Sequence, residues 1–160
     1  MDHPSRSNAS LGDNYPVAGL MRAVLEKGKA FRFEARGMSM DPLIRDGDVV
    51  TVSSLDAGEP RTGDVVAFVH PVTGGVRIHR VVKSAAGSYR LKGDNVAGED
   101  GLFSRDAILG RVSRVERNGR DRRLGPWLHS AALARLSRSL WFTRLLRRAR
   151  RGRAGREGSA

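Results

Sequence analysis

Short apolar runs punctuated by Gly-Asp pairs constrain this chain more than any other feature. Gly47-Asp48 and Gly63-Asp64 each precede such a run, and Gly93-Asp94 follows one. Glycine at a strand edge supplies the backbone angles that a turn needs. From Ala30 onward Phe31 and Phe33 alternate with Arg32 and Glu34, the two-residue rhythm of a strand that ends near Ala35. Residues 48–53, 64–70, 76–83, 89–92 and 108–116 read as further strands, and Thr73-Gly74-Gly75 as a hairpin turn. Nineteen glycines and six prolines favour turns and short strands over long helices. No solenoid repeat is visible. The spacing predicts a mainly β domain, a partly closed barrel of coiled antiparallel strands.

The flanks have other rhythms. Residues 1–15 are polar and small, which predicts disorder. Between positions 16 and 27, Val17, Leu20, Met21, Val24 and Leu25 fall at helical spacing, closed by Gly28. This short helix either caps the core or faces a membrane or partner. The folded domain is expected over residues 16–118, with a basic helical tail over 119–160. After Gly125-Pro126, leucines, Trp127, Trp141 and Phe142 interleave with arginines. That pattern fits one helix of about twenty residues, or two separated near positions 137–139.

Charge is concentrated in the tail. Residues 120–156 hold twelve arginines against the one acid Asp121, a net of +11 out of the chain's +12. Such a field draws anionic lipid head groups or nucleic acid. Aromatics spaced for base stacking are lacking, so nucleic acid is not expected as a partner. The tryptophans and leucines suit an anionic membrane surface, with arginines meeting head groups; the plainer reading is a helix packed on the β domain. No secretory signal peptide is read at the N-terminus, and no run reaches the roughly 18–20 apolar residues that span a bilayer. The expected location is cytoplasmic, with peripheral contact at the cytoplasmic membrane. Cysteine is absent, which excludes disulfides and thiol nucleophiles.

The candidate chemistry starts at Gly37-Met38-Ser39-Met40-Asp41-Pro42, just after the first strand. A serine at a strand-to-turn junction can hold its hydroxyl outward at a groove. An ordinary turn serine would look the same in isolation. A serine hydroxyl needs a base within roughly 2.6–3.2 Å to act as a nucleophile at neutral pH. Four histidines are available. His3 lies in the polar start, His129 in the basic tail, and His70 beside Pro71 at an exposed strand end. His79 lies inside the apolar run Val76-Arg77-Ile78-His79-Arg80-Val81-Val82, positioned by the sheet. Taken alone, it could be a satisfied half-buried histidine. Lys92-Gly93-Asp94-Asn95-Val96-Ala97-Gly98-Glu99-Asp100 then presents three acids, one of which can accept the His79 ring N–H. The same oxygens could ligate a cation, but their spacing is not that of an EF-hand loop. No metal and no cofactor is expected.

Five boxes in order resemble those of type I signal peptidases and the LexA-like serine peptidase superfamily. They are the Ser39 box, Gly47-Asp48-Val49-Val50, Gly63-Asp64-Val65-Val66-Ala67-Phe68, Ile78-His79-Arg80-Val81-Val82, and Lys92-Gly93-Asp94-Asn95 with Asp100. The resemblance covers about residues 30–115. Most bacterial signal peptidases and LexA-type repressors carry a lysine base where His79 stands. The archaeal, endoplasmic-reticulum and spore-former branch carries His-Arg-Val, and this sequence is similar to that branch. The resemblance implies a serine endopeptidase with Ser39 and His79 catalytic and Asp100 as histidine partner. Asp94 is the second candidate, or a structural acid. It further implies an acyl-enzyme, the Ser39 N–H as oxyanion donor, and an extended substrate cut after a small residue. Gly37 belongs to the nucleophile turn but offers no side-chain donor, unlike the serine of many bacterial relatives. Phe31, Phe33, Met38 and Met40 are candidate walls of an apolar substrate pocket.

The sequence departs from that family at one place. Where a transmembrane helix usually precedes the serine box, residues 16–27 are short and include Arg22, Glu26 and Lys27. A dedicated peptide or protein substrate is therefore expected as much as a secretory signal peptide. The alternative is a self-cleaving LexA-like regulator, with Ala18-Gly19 as the bond, or a basic nucleic-acid-binding protein. No helix-turn-helix fits into the first 30 residues.

Overall fold

A computed structural model describes residues 15–55, 58–122 and 129–137. Helix α1 spans Tyr15–Glu26, and its Ala18, Met21 and Leu25 are buried along one stripe. The helix closes where Gly28 N–H donates to Leu25 O and Lys29 N–H to Val24 O. Eight strands follow: β1 Phe31–Glu34, β2 Val49–Ser53, β3 Val65–Val69, β4 Val76–Ala85, β5 Ser88–Lys92, β6 Gly101–Ser104, β7 Ile108–Arg117 and β8 Arg120–Asp121. A short helix, α2, spans Ala131–Ser137.

All pairings are antiparallel, and the sheet order is β1-β2-β7-β3-β4-β5-β6, with β8 on β7. The strands make one open sheet. β1 and β6 end the order without pairing to each other, so the sheet is not closed, and the mainly β antiparallel fold expected from the sequence is present. The six expected strands are present. The sequence did not announce β6 or β8, and the β7–β8 hairpin runs across the expected boundary at 118. The first residue of α2, Ala131, and His129 and Ser130 before it pack against the turn at Gly63. The remainder of the expected tail helix, beyond residue 137, lies outside the described residues, as do residues 1–14.

The Gly-Asp pairs at 47–48 and 63–64 build the same turn twice. The Asp48 and Asp64 N–H groups donate to Arg45 O and Arg61 O, and their carboxylates accept from the Arg45 and Arg61 N–H groups. Gly47 and Gly63 take φ of +83° and +106°, angles that a side chain disfavours. Each turn launches a strand, β2 and β3.

β3 is buried on both faces, as its unbroken apolar run requires. Val65 and Ala67 join one core with Val50, Val52, Val112, Met21 and Leu25. Val66 and Phe68 join a second core with Val81, Leu91 and Phe103. A side chain of Phe68's size contributes about 1.5–3 kcal/mol when fully buried. β3 and β4 thus form a rigid platform, and the site is built at its rim.

Candidate active site

The turn after β1 carries Ser39. Ala35 N–H donates to Asp48 O and Gly47 N–H to Ala35 O, tying the chain ahead of the turn to the first Gly-Asp turn. Gly37 N–H donates to Asp46 Oδ1 at 2.7 Å, so that amide is already engaged. Met40, Asp41 and Ile44 are buried beneath, and the Asp41–Pro42 peptide is cis. Ser39 stays partly accessible above them.

His79 arrives from β4, opposite Val66 of β3. It is 4% exposed, and its ring lies 5.7 Å from that of Phe68, tilted by 44°. Its Nε2 is 3.0 Å from Ser39 Oγ. Its Nδ1 is hydrogen-bonded to Asp100 Oδ2. Residues forty and twenty-one positions away are thus joined into one serine–histidine–aspartate chain.

Asp94 is elsewhere. Successive side chains on a strand point to opposite faces, so Arg80 projects away from His79. Arg80 is fully buried, and its Nε and Nη2 donate to Asp94 Oδ1 and Oδ2 at 2.8 and 2.7 Å. Its Nη1 donates to Gly63 O at 2.8 Å. Of the two acids, Asp100 meets His79 and Asp94 is paired with Arg80. Glu99 pairs with Arg90. Among the described residues no group of three or more acids and histidines is arranged to hold a metal ion.

Asn95 is a residue whose part was missed. Its N–H donates to Ser39 O at 2.7 Å and its Nδ2 to Met38 O at 3.0 Å. The sequence offered it only as an oxygen ligand in an acidic loop; its fixed place one residue after Asp94 was the available signal. Beside it Lys92 is 2% exposed and donates to Gly93 O at 3.3 Å. Burial pushes the Lys92 ammonium below its ordinary range, against the pull of Asp94, Glu99 and Asp100.

A cleft of about 450 Å³ opens over the serine and histidine. Phe33 and Met40 line it, with Ala35, Ile44, Ile78 and Val17 of α1. Phe31 packs on the first core and Met38 is 55% exposed; neither lines the cleft. α1 is therefore a wall of the groove as well as a cap on the core. Two strand edges flank it. β1 ends the sheet, and residues 76–79 of β4 pair with β3 alone, because the β5 register begins at Arg80.

The other histidines are placed differently from expectation. His70 is half-buried, and burial, then Arg77, holds its ring below the ordinary histidine range. His129, expected in the solvated tail, is docked on β3, where its Nδ1 accepts the Val65 N–H at 3.2 Å. Burial lowers its proton affinity, opposed by Asp64.

An open antiparallel sheet with a serine-bearing turn facing a strand-borne histidine matches a serine-peptidase-like β fold. The chain belongs to the Peptidase S24-like family, whose model matches residues 3–113, within the LexA and signal-peptidase superfamily. That family contains serine peptidases and LexA-like regulators. A search of the curated proteins finds no match to this chain. Among the described residues no helix is long and apolar enough to cross a membrane.

Proposed function

We propose that the protein is a serine endopeptidase acting on an extended peptide, with Ser39 as nucleophile, His79 as general base and Asp100 as the acid that orients it. The observation that carries this reading is the chain from Ser39 Oγ through the two His79 nitrogens to Asp100. Ser39 Oγ attacks the substrate carbonyl while His79 Nε2 takes its proton. The Ser39 N–H stabilises the oxyanion, and His79 returns the proton to the leaving amine. Water, activated by the same histidine, then releases the acyl-enzyme. Asp100 fixes the tautomer with Nε2 as acceptor. The free edges of β1 and of residues 76–79 suit a substrate strand laid between them. Similarity to the histidine-using signal peptidases supports cleavage after a small residue.

This reading is favoured over a self-cleaving regulator. The Ala18–Gly19 bond lies inside α1 with Ala18 buried, a helical peptide rather than an extended one. The arginine-rich segment beyond residue 137 supports a further part of the proposal, peripheral attachment to anionic lipid at the cytoplasmic membrane.

Ser39→Ala tests the assignment. With a synthetic peptide library read by mass spectrometry, the variant should produce no cleavage products while melting at the wild-type temperature. Cleavage at the wild-type rate would falsify the proposal.

A further inference from the structure

Asp100 has a second cation. β4 places Arg77 two residues before His79, on the same face. Arg77 Nη1 lies 3.9 Å from Asp100 Oδ1, while Oδ2 faces the His79 ring. The carboxylate is 12% exposed and Arg77 42%, so the guanidinium covers the outer side of an otherwise enclosed acid and also lines the cleft.

We infer that Arg77 is a positioning residue, acting through Asp100 to keep His79 in its proton-accepting form. This rests on the proposed serine–histidine mechanism. The physical reason is charge balance. An ionised Asp100 alone would favour a protonated, positively charged imidazole. With Arg77 near the other oxygen, part of the carboxylate's pull is offset, and a positive charge on His79 gains less. The same contact holds Oδ1 outward and so leaves Oδ2 facing Nδ1. A base that must be neutral before it can act benefits from both effects.

Arg80 is bound bidentately by Asp94, and Glu99 pairs with Arg90. Lys92 lies behind the loop and feels Asp94, Glu99 and Asp100. His70, just after β3, feels Arg77, Asp100 and His79.

The experiment compares wild type, Arg77→Gln and Arg77→Lys, each also in a His70→Asn background. The His79 ring nitrogens are followed by NMR from pH 5 to 9, assigned by loss of signal in His79→Asn. Arg77→Gln should move the His79 titration midpoint upward by roughly 0.5–1 pH unit, and Arg77→Lys should restore it. Peptide cleavage by Arg77→Gln should accordingly fall about 3–10-fold on the acid limb and within about twofold at pH 8.5. An unmoved His79 titration overturns the inference, as does an equal loss of rate at every pH. The NMR readout needs no substrate, so it separates failure of this inference from failure of the peptidase proposal.

Discussion

Gly93 lies so close to Ser39 that no side chain fits between them. A Cβ on Gly93 would stand 2.7 Å from Ser39 O and 3.0 Å from His79 Nε2, with Val96 Cγ2 at 2.9 Å. The contact to Ser39 is to backbone, so relief requires moving either the nucleophile turn or the loop that carries Asn95. Gly93→Ala should therefore lower kcat/KM by about 100-fold, the scale of a 1 Å misplacement of a reacting group. Its stability loss should be about 1–3 kcal/mol. Parallel measurements of peptide cleavage and of urea unfolding check both. A variant with native kinetics would show that the close approach does not position Ser39.

Asp94 and Asp100 should respond oppositely to removal. Asp94→Ala strands the buried Arg80 guanidinium and should cost about 3–5 kcal/mol of stability. Asp100→Asn keeps the shape of the side chain and strands no buried cation, so it should change the melting temperature far less. It should cut kcat by about 10⁴-fold through the wrong histidine tautomer. Equilibrium unfolding and steady-state kinetics on the two variants separate the roles; comparable unfolding midpoints would remove the distinction between a support and an orienter.

The sequence could not make that distinction, and the reason is geometric. Both acids lie in one turn-rich loop, six residues apart, and either can reach β4. What decides is the pleat, because His79 and Arg80 face opposite ways and each collects one acid. An arginine inside an apolar strand was a legible demand for a buried carboxylate. The strands themselves were legible, since Phe31/Phe33 alternation and the unbroken run of β3 report directly how many faces are covered. β6 was not, because Gly101-Leu102-Phe103-Ser104 buries only Phe103 and carries almost no pattern. Met38 shows the same limit in the cleft: Met40, two residues on, is buried, while the turn leaves Met38 in solvent.

His129 makes the docking of the segment before α2 acid-sensitive. Its ring accepts the Val65 N–H and is held below the ordinary value of 6.5 by burial. The folded state therefore binds a proton less readily than the unfolded chain. The resulting stability is fully present above about pH 6.5 and is lost as pH falls through the lowered folded value. The protection of the Val65 amide, relative to its intrinsic exchange rate, should fall on acidification below about pH 6.5 in the wild type. That fall should vanish in His129→Gln. Identical pH profiles for the two proteins would exclude His129 as the titrating latch.

The dock also fixes where the tail may be cut. His129 O, Ser130 C and Ala131 N all lie within 2.9 Å of where a Gly63 Cβ would stand, and Gly63 O is held by Arg80. Removing residues from 127 onward would strip that contact from the turn beneath the Arg80–Asp94 pair. A deletion of residues 138–160 leaves it in place and still removes eight of the twelve tail arginines, all but Arg120, Arg122, Arg123 and Arg135. Each basic residue near an anionic surface contributes about 1 kcal/mol. The shortened protein should fail to sediment with phosphatidylserine vesicles at physiological salt while cleaving a soluble peptide at the native rate. Unchanged sedimentation would place the lipid-binding surface on the folded domain instead, where Val17, Leu20, Met38, Val72 and Leu102 are exposed apolar residues.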